Sequence, residues 1–288
     1  MATSTSLPFN QCLDPIPSCK GWDDGYHRLF LTTNEINQAD SLFTLAKHKV
    51  TGNTIIGVSG FFTLNAASAL GTYCSKPGSE IENIILIDRS LRVEHFWKQM
   101  QVIITSSSKK EEVISKVTDL LKKEQTRYYP EGSTSLCLTT GIYTKISTEG
   151  SVAEYLKELD DEVLCAHSWL SSDDKFARIK RIFDNKHFIF KRMDLFESEP
   201  IEAMGKILKE RNITVDTIYL SNVYEYAKSP EVKQQFKKAV QYLILPETLV
   251  IRTQSRCELC DKHLMQVVDS SAEKPDLFIE YPKTCGHK

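Results

Sequence analysis

A glycine-containing turn and a set of acidic or polar residues each follow an apolar run in this sequence. The first run, TIIGVSG, passes through Gly57, Ser59 and Gly60 and continues into a helical pattern. A strand, a glycine turn and a helix in this order are typical of nucleotide and cofactor sites, because glycine allows the backbone to approach a ligand. The stretch therefore predicts a cofactor site on this turn.

Later apolar runs end in groups that could contact the same ligand. Asp88 follows IENIILI, Asp194 follows the HFIFKRM segment, and Ser221 and Asn222 follow VDTIYL. Ligands of open parallel sheets bind beyond the carboxyl ends of the strands, so these groups are expected at one edge of the sheet. The first acid could accept hydrogen bonds from a ribose diol, the second from an adenine amine, and the polar pair could face the reacting group.

Each of these positions also has a structural explanation. Acids at strand ends are common as loop residues and helix caps, and a glycine turn needs no ligand. The ordered recurrence of such groups, and not any single residue, is what favours a functional interpretation.

The elements that must position these residues alternate along the chain. Apolar runs that alternate with helical patterns predict an α/β fold with a Rossmann-like, doubly wound, mostly parallel sheet. The strand candidates are TIIGVSG, IENIILID, HFIFKRMDLF, VDTIYLS and PETLVIRTQ. The tail segments HLMQVV and DLFIEYP predict an antiparallel hairpin at one edge of the sheet.

The remaining segments suggest how the chain is organised. Residues 1–33 indicate an irregular N-terminal arm, and residues 34–288 indicate one α/β domain. Residues 34–48 predict a helix with Ile36, Leu42, Phe43 and Ala46 on one face. The interval of about 91–185 is too long for one crossover helix and predicts a mainly helical insertion.

Composition excludes some classes of function. The 288 residues are 41% hydrophobic and 26% charged, with a formal net charge of -2 and a pI near 6.4. This near-neutral balance disfavours a general nucleic-acid binder. No apolar run is long enough to cross a bilayer, and the N-terminus lacks a secretory pattern. Eight cysteines, mostly without close partners in sequence, fit reduced thiols and a cytoplasmic protein.

The tail contains a second group of residues with chemical potential. Its members have a zinc-like spacing and are Cys257, Cys260, His263, Cys285 and His287. One Cys-x-x-Cys pair without a matching second pair is explained equally well by ordinary loop thiols. Both interpretations stay open, and no metal ligand is assigned.

The ordered strand ends resemble the class I S-adenosylmethionine-dependent methyltransferases. The resemblance covers about residues 50–90 and 185–255. Within this class, the sequence is most similar to a subgroup that includes nodulation-type methyltransferases and betaine-lipid aminocarboxypropyltransferases. The segments that carry it are VSGFFTLN, LIDRSLRVEHFW, WLSSDDKFARIKRIF and IYLSNVYEY.

The resemblance implies S-adenosylmethionine as the cofactor and assigns a part of the site to each strand end. Ser59 and Gly60 would approach its methionine part, Asp88 its ribose and Asp194 its adenine. The substrate side would be lined by Ser221, Asn222 and Tyr224. The implied cofactor-binding residues are Gly57, Ser59, Gly60, Asp88, Asp194, Ser221 and Asn222. NAD is disfavoured because the glycine spacing of a dinucleotide-binding turn is absent, and ATP is disfavoured because the lysine of a P-loop is absent.

Two departures from the family pattern accompany the resemblance. Gly57 stands near the place of the usual acid of the first strand, and Phe61 and Phe62 stand where glycines are expected. The implied activity is transfer, most directly of a methyl group, to a small-molecule, lipid or protein acceptor. Aminocarboxypropyl transfer and a catalytically inactive binding protein remain as alternatives.

Overall fold

The structure is a computed structural model. It describes residues 8–19, 35–36, 38–58, 60–73, 80–128, 168–221, 223–227, 229–254 and 263–269. The strands in these ranges are β1 (Glu35–Ile36), β2 (Thr54–Gly57), β3 (Asn83–Asp88), β4 (Phe188–Arg192), β5 (Val215–Ser221), β6 (Leu249–Gln254) and β7 (His263–Asp269). The α-helices are α1 (Gln38–Lys47), α2 (Gly60–Ala69), α3 (Leu91–Ser106), α4 (Lys110–Tyr128), α5 (Asp173–Asp184), α6 (Ser198–Glu210) and α7 (Pro230–Gln241).

The strands form one sheet in the order β1-β7-β6-β5-β2-β3-β4. The five strands from β2 to β6 pair in parallel. β7 pairs antiparallel with β6, and β1 pairs parallel with β7. From β2 the chain therefore moves outward through β3 and β4, and then continues with β5 and β6 on the other side of β2. The predicted α/β class with a mostly parallel sheet is confirmed, and the arrangement is compatible with a Rossmann-like fold.

Helices cover both faces of the sheet, and the apolar runs show why. In β3, Ile84 and Leu86 join a core shared with α1 to α5, whereas Ile85 and Ile87 join a core shared with α6 and α7. Successive side chains of a strand point to opposite faces, so a strand covered on both faces needs an unbroken apolar run. The sequence of β3 meets this need.

The first predicted helix is wrong at its start. Ile36 lies in β1, and α1 begins only at Gln38. β1 pairs with β7, which comes far later in the chain, so no local pattern could show it. Leu42 and Ala46 are buried as expected, but Phe43 is 45% exposed.

Two further predictions are not confirmed. The edge hairpin is not confirmed, because its DLFIEYP segment lies outside the described residues. Its other segment, HLMQVV, lies in β7, which is an interior strand because β1 lies beyond it. The helical insertion also stays a prediction. Between β3 and β4 the described residues form α3, α4 and α5, but residues 129–167 fall outside the description.

Candidate functional site

The carboxyl ends of β5, β2, β3 and β4 lie side by side at one edge of the sheet. This edge collects the sequence-predicted site residues that the structure describes, which are Gly57, Gly60, Asp88, Asp194 and Ser221. The other two predicted residues, Ser59 and Asn222, lie outside the described residues. The predicted end of β4 needs correction, because the strand stops at Arg192 and Asp194 follows two residues later.

The centre of this edge is the point where the strand order reverses. β2 lies between β3 and β5, and the chain leaves β2 toward one side and later fills the other. Ligands of doubly wound sheets bind in the crevice at such a point. The N–H of Val58 donates to the carbonyl of Tyr219 at 3.2 Å, so the turn after β2 remains attached to β5. The predicted strand, turn and helix thus stand at the topological switch.

Asp88 is the acid nearest to this switch. It is half-buried at the last position of β3, and its Oδ1 accepts a hydrogen bond of 2.7 Å from the Ser90 N–H. Burial raises the pKa of Asp88 to about 6, although the Ser90 hydrogen bond and the charge of Arg89 act in the opposite direction. A desolvated carboxylate gains free energy from added hydrogen-bond donors. Asp88 is therefore suited to accept hydrogen bonds from the hydroxyls of a ligand.

Asp194 has a more fully occupied environment. Its Oδ1 accepts from the Phe196 N–H at 3.0 Å, and its Oδ2 lies 3.7 Å from the Arg89 guanidinium. The negative charge of Asp194 also contributes to the raised pKa of Asp88. Arg89 therefore joins the two acids, and sequence reasoning missed it. The sequence feature that could have indicated Arg89 is a basic residue directly after the acid in LIDRS.

Ser221 has an unusual backbone conformation. Its φ is 50°, and the β5–β6 register is irregular between Tyr219 and Ser221. Lys186 and Asn212 also have positive φ, but both follow helix ends, where a left-handed residue commonly terminates the helix. Ser221 instead ends a strand at the switch point. Strained non-glycine residues of this kind are concentrated at functional sites.

The two described glycines of the turn have packing explanations. A Cβ at Gly57 would lie 2.0 Å from Oγ1 of Thr63, and one at Gly60 would lie 1.7 Å from the buried Trp97 ring. Neighbouring side chains thus occupy the space that a larger residue would need. The glycines are required whether or not a ligand approaches their backbone.

Phe61 and Phe62, at the start of α2, belong to the core. Both are buried; Phe61 makes edge contacts with Phe96 and Trp97, and Phe62 packs 4.6 Å from the Tyr219 ring. These contacts hold the start of α2 against the sheet and against α3. The two rings therefore have a structural role beneath the turn.

Comparison with protein families assigns the domain that carries this edge. A family model of a domain of unknown function, DUF7790, matches residues 47–273. The chain belongs to this family. The DUF7790 match runs from the end of α1 through β7 and includes every described site residue. No curated protein matches the chain in sequence.

Tyr224, implied to line the substrate side, packs on the helix that follows it. It lies in the 3₁₀ turn Val223–Tyr226, and its ring centroid is 6.0 Å from that of Phe236 in α7. The amines of Lys233 and Lys237 lie 5.2 and 5.4 Å from the same ring. In contrast, Tyr226 is 65% exposed.

The zinc-like residues of the tail fall largely outside the described part of the chain. Of this set, His263 is described as the first residue of β7, while Cys257, Cys260, Cys285 and His287 lie outside. Among the described residues, no group of three or more potential ligands is placed to hold a metal ion. In the same ranges, none of the helices combines the length and apolarity needed to cross a membrane.

The amino end of β5 holds a buried acid that no sequence pattern singled out. Asp216 accepts hydrogen bonds from the Thr51 N–H at 2.7 Å, the Gly52 N–H at 3.1 Å and the Thr217 hydroxyl at 2.8 Å. Nε2 of His48 lies 3.5 Å from its Oδ1. Burial acts to raise the pKa of Asp216, but these groups together lower it below its ordinary value. Asp216 therefore connects β5 to the segment before β2, at the end of the sheet opposite the candidate site.

Proposed function

We propose that this DUF7790 protein is an S-adenosylmethionine-dependent transferase, most directly a methyltransferase, with its cofactor at the carboxyl ends of β2 to β5. The observation that carries the proposal is the half-buried carboxyl of Asp88 at the end of β3, beside the switch point. A ribose diol offers two hydroxyl donors to such a carboxylate. Because the pKa of Asp88 is about 6, its carboxyl is mostly ionised at neutral pH and can accept both.

The neighbouring groups fit the other parts of this cofactor. α2 begins at Gly60 and has no acidic residue in its first turn, so the positive end of its dipole suits the carboxylate of the methionine part. Asp194 lies beyond β4, on the side proposed for the adenine amine. Ser221 lies across the switch point, on the side proposed for the acceptor.

The main task of the protein in this reaction is to align the acceptor with the cofactor. Bound S-adenosylmethionine supplies an electrophilic methyl group on a sulfonium, and holding an acceptor in line with it supplies much of the rate. Aminocarboxypropyl transfer differs in the carbon that is attacked, so product analysis distinguishes the two reactions. The near-neutral charge leaves small molecules, lipids and proteins as acceptor classes, and the scattered cysteines keep the cytoplasm as the expected compartment.

The proposal is tested by calorimetric titration of the full chain with S-adenosylmethionine and with S-adenosylhomocysteine. Micromolar binding, about -8 kcal/mol, is expected for the unmodified protein. Asp88→Asn keeps the shape of the side chain but removes its charge, and the affinity should fall by about 100-fold or more, since two charge-assisted hydrogen bonds are weakened.

The matched control is Glu82→Gln. Glu82 is exposed just before the amino end of the same strand, so this variant removes an equal charge away from the site. Its affinity should equal that of the unmodified protein. Absence of binding at millimolar cofactor, or equal binding by Asp88→Asn, contradicts the proposal.

A second candidate is a binding protein of this fold without turnover. It is favoured by the absence of an acid at the end of β2 and by the packing of Thr63 and Trp97 into the space beside Gly57 and Gly60. Such a protein is expected to bind neither ligand, and Asp88→Asn should then change nothing in the titration. The same experiment therefore separates the two candidates.

A further inference from the structure

The N-terminal strap, defined as residues 8–19, packs along β4 although it lies outside the residues matched by the family model. It starts with a 3₁₀ turn, Phe9–Gln11, whose Phe9 ring is 5.6 Å from the His187 ring just before β4. Three of its side chains are almost fully buried in the core beside α6 and α7, namely Cys12, Leu13 and Ile16. The strap is thus an integral part of the fold at the β4 edge of the sheet.

Lys191 fastens the strap to β4. Ile189 and Met193, two residues away on either side, belong to the apolar core that includes the strap. The Lys191 amine is buried there and donates to the carbonyls of Leu13 at 2.9 Å and Ile16 at 2.5 Å. A buried amine is costly unless it is hydrogen-bonded, so the two carbonyls explain a lysine at this position.

The last residue of the strap reaches the candidate site. The Cys19 N–H donates to the carbonyl of Arg192 at 3.1 Å, and its thiol contacts the carbonyl of Arg89 at 3.9 Å. Arg192 pairs with Asp88 in the β3–β4 ladder, and the Arg89 side chain approaches Asp194. Cys19 is therefore hydrogen-bonded to both chain segments that carry the acids of the site.

We infer that the strap is a positioning element of the cofactor site and that Lys191 is the positioning residue that fastens it. With the strap in place, Cys19 holds the backbone that follows Asp88 and the backbone that precedes Asp194. The inference rests on the proposed function and deepens it, because it makes binding of the adenosine part depend on a segment outside the DUF7790 match.

The test compares Lys191→Met with a matched lysine elsewhere. The Lys180 amine also donates to two main-chain carbonyls, those of Ile104 and Thr105, near the end of α3 remote from the site. Lys180→Met therefore removes a similar contact without touching the strap. Lys191→Arg retains the charge and the donors. Thermal unfolding and the Kd values of adenosine and of S-adenosylhomocysteine are measured for all variants of the full chain.

Lys191→Met should raise the Kd values of adenosine and of S-adenosylhomocysteine by the same factor, because the strap contacts the side of the site proposed for adenosine. Loss of an outer-shell partner costs about 10- to 100-fold in metal sites, and we expect about tenfold here. Lys191→Arg should recover most of the affinity. Lys180→Met should lower the melting temperature and leave both Kd values unchanged. Alkylation of Cys19 by N-ethylmaleimide, followed by peptide mass spectrometry, should be faster in Lys191→Met.

Three results overturn the inference in distinguishable ways. If the unmodified protein binds but Lys191→Met binds equally well, the strap has only a structural role and the proposed function stands. An equal loss in Lys180→Met also overturns the positioning role, since the effect is then general destabilisation. If the unmodified protein binds neither ligand, the proposed function fails and the inference fails with it.

A second variant covers the case in which Lys191→Met does not fold. Cys19→Ala removes the thiol contact with Arg89 and leaves the Lys191 hydrogen bonds in place. It should fold and weaken adenosine binding by a few-fold. An unchanged Kd in Cys19→Ala then overturns the inference.

Discussion

Asp88 and Asp216 are two desolvated acids at opposite ends of the same sheet, and their pKa values move in opposite directions. Burial raises the pKa of Asp88 to about 6, opposed by the Ser90 N–H and by Arg89. Asp216 is also buried, yet its three hydrogen-bond donors and the nearby His48 lower its pKa.

The difference shows that burial alone does not decide the role of an acid. Both carboxyls are at least partly removed from water, and the donors around each one decide which protonation state is favoured. At Asp216 the protein itself stabilises the charge, so this acid holds the fold together. At Asp88 the protein provides fewer hydrogen-bond donors, so a ligand could supply part of the stabilisation of the charge. Groups with such perturbed pKa values are candidates for ligand binding.

The largest expected effect on stability comes from exchanging Asp216 for asparagine. Asp216→Asn should lower the free energy of unfolding by about 2 to 4 kcal/mol, because the Thr51 and Gly52 N–H groups lose the charged acceptor that the buried Asp216 provides. Asp88→Asn should cause no such loss. Guanidinium denaturation measures both, with Asp119→Asn, at an exposed position of α4, as the control. An equal loss in Asp88→Asn would remove the distinction between the two ends.

The pH dependence of stability sharpens the same comparison. The folded pKa of Asp88 lies above its ordinary value of 3.8, so its contribution to stability is present below that value and is lost as the pH rises through about 6. Asp88→Asn should therefore gain about 1 to 3 kcal/mol relative to the unmodified protein between pH 4 and pH 7. Urea denaturation at several pH values measures this gain, and a constant difference would contradict it.

Asp216 should show the opposite dependence. Its folded pKa is lowered, so its contribution is present above the ordinary pKa of 3.8 and is lost as the pH falls through the folded pKa. The stability gap between Asp216→Asn and the unmodified protein should consequently narrow below about pH 4. A gap that widens on acidification would show that the His48 and backbone contacts do not favour the ionised form.

Cofactor affinity should also depend on pH. A ribose diol needs the ionised carboxylate of Asp88, so the Kd of S-adenosylhomocysteine should rise below the pKa of about 6. The slope should approach about tenfold per pH unit, or about 1.4 kcal/mol. Glu82→Gln should follow the same curve. A Kd that is constant between pH 5 and pH 8 would mean that the titrating carboxyl does not contact the ligand.

The smallest expected effect concerns Ser221 at the carboxyl end of β5. Its φ of 50° is costly for a residue with a Cβ. Ser221→Gly should raise the free energy of unfolding by about 0.5 to 1 kcal/mol, since the greater freedom of unfolded glycine offsets part of the relief. Ser221→Ala keeps the Cβ and should show no gain. A loss of stability in Ser221→Gly would indicate that contacts of the serine side chain outweigh the strain.

Much of the framework could be predicted from the sequence because it depends on local patterns. Apolar runs predicted the five parallel strands β2 to β6, and the stretch from residue 53 to 70 predicted a strand, a turn and a helix. The placement of Gly57, Asp88, Asp194 and Ser221 at one edge follows from parallel strands. A parallel sheet collects all its carboxyl strand ends on one side whatever the order of the strands.

Tertiary structure decided what depends on residues distant in the chain. β1 forms because β7 pairs with it, and Lys191 is buried because the strap supplies two carbonyls. The sequence predicted a ligand-binding role for Asp88, but it did not show how the surroundings of Asp88 and Asp216 differ, since each residue is simply an acid within or after an apolar run. The sequence alone determined where acids meet the sheet. Only folding determined how many donors surround each acid, because donors such as Thr51 and His48 come from other segments of the chain.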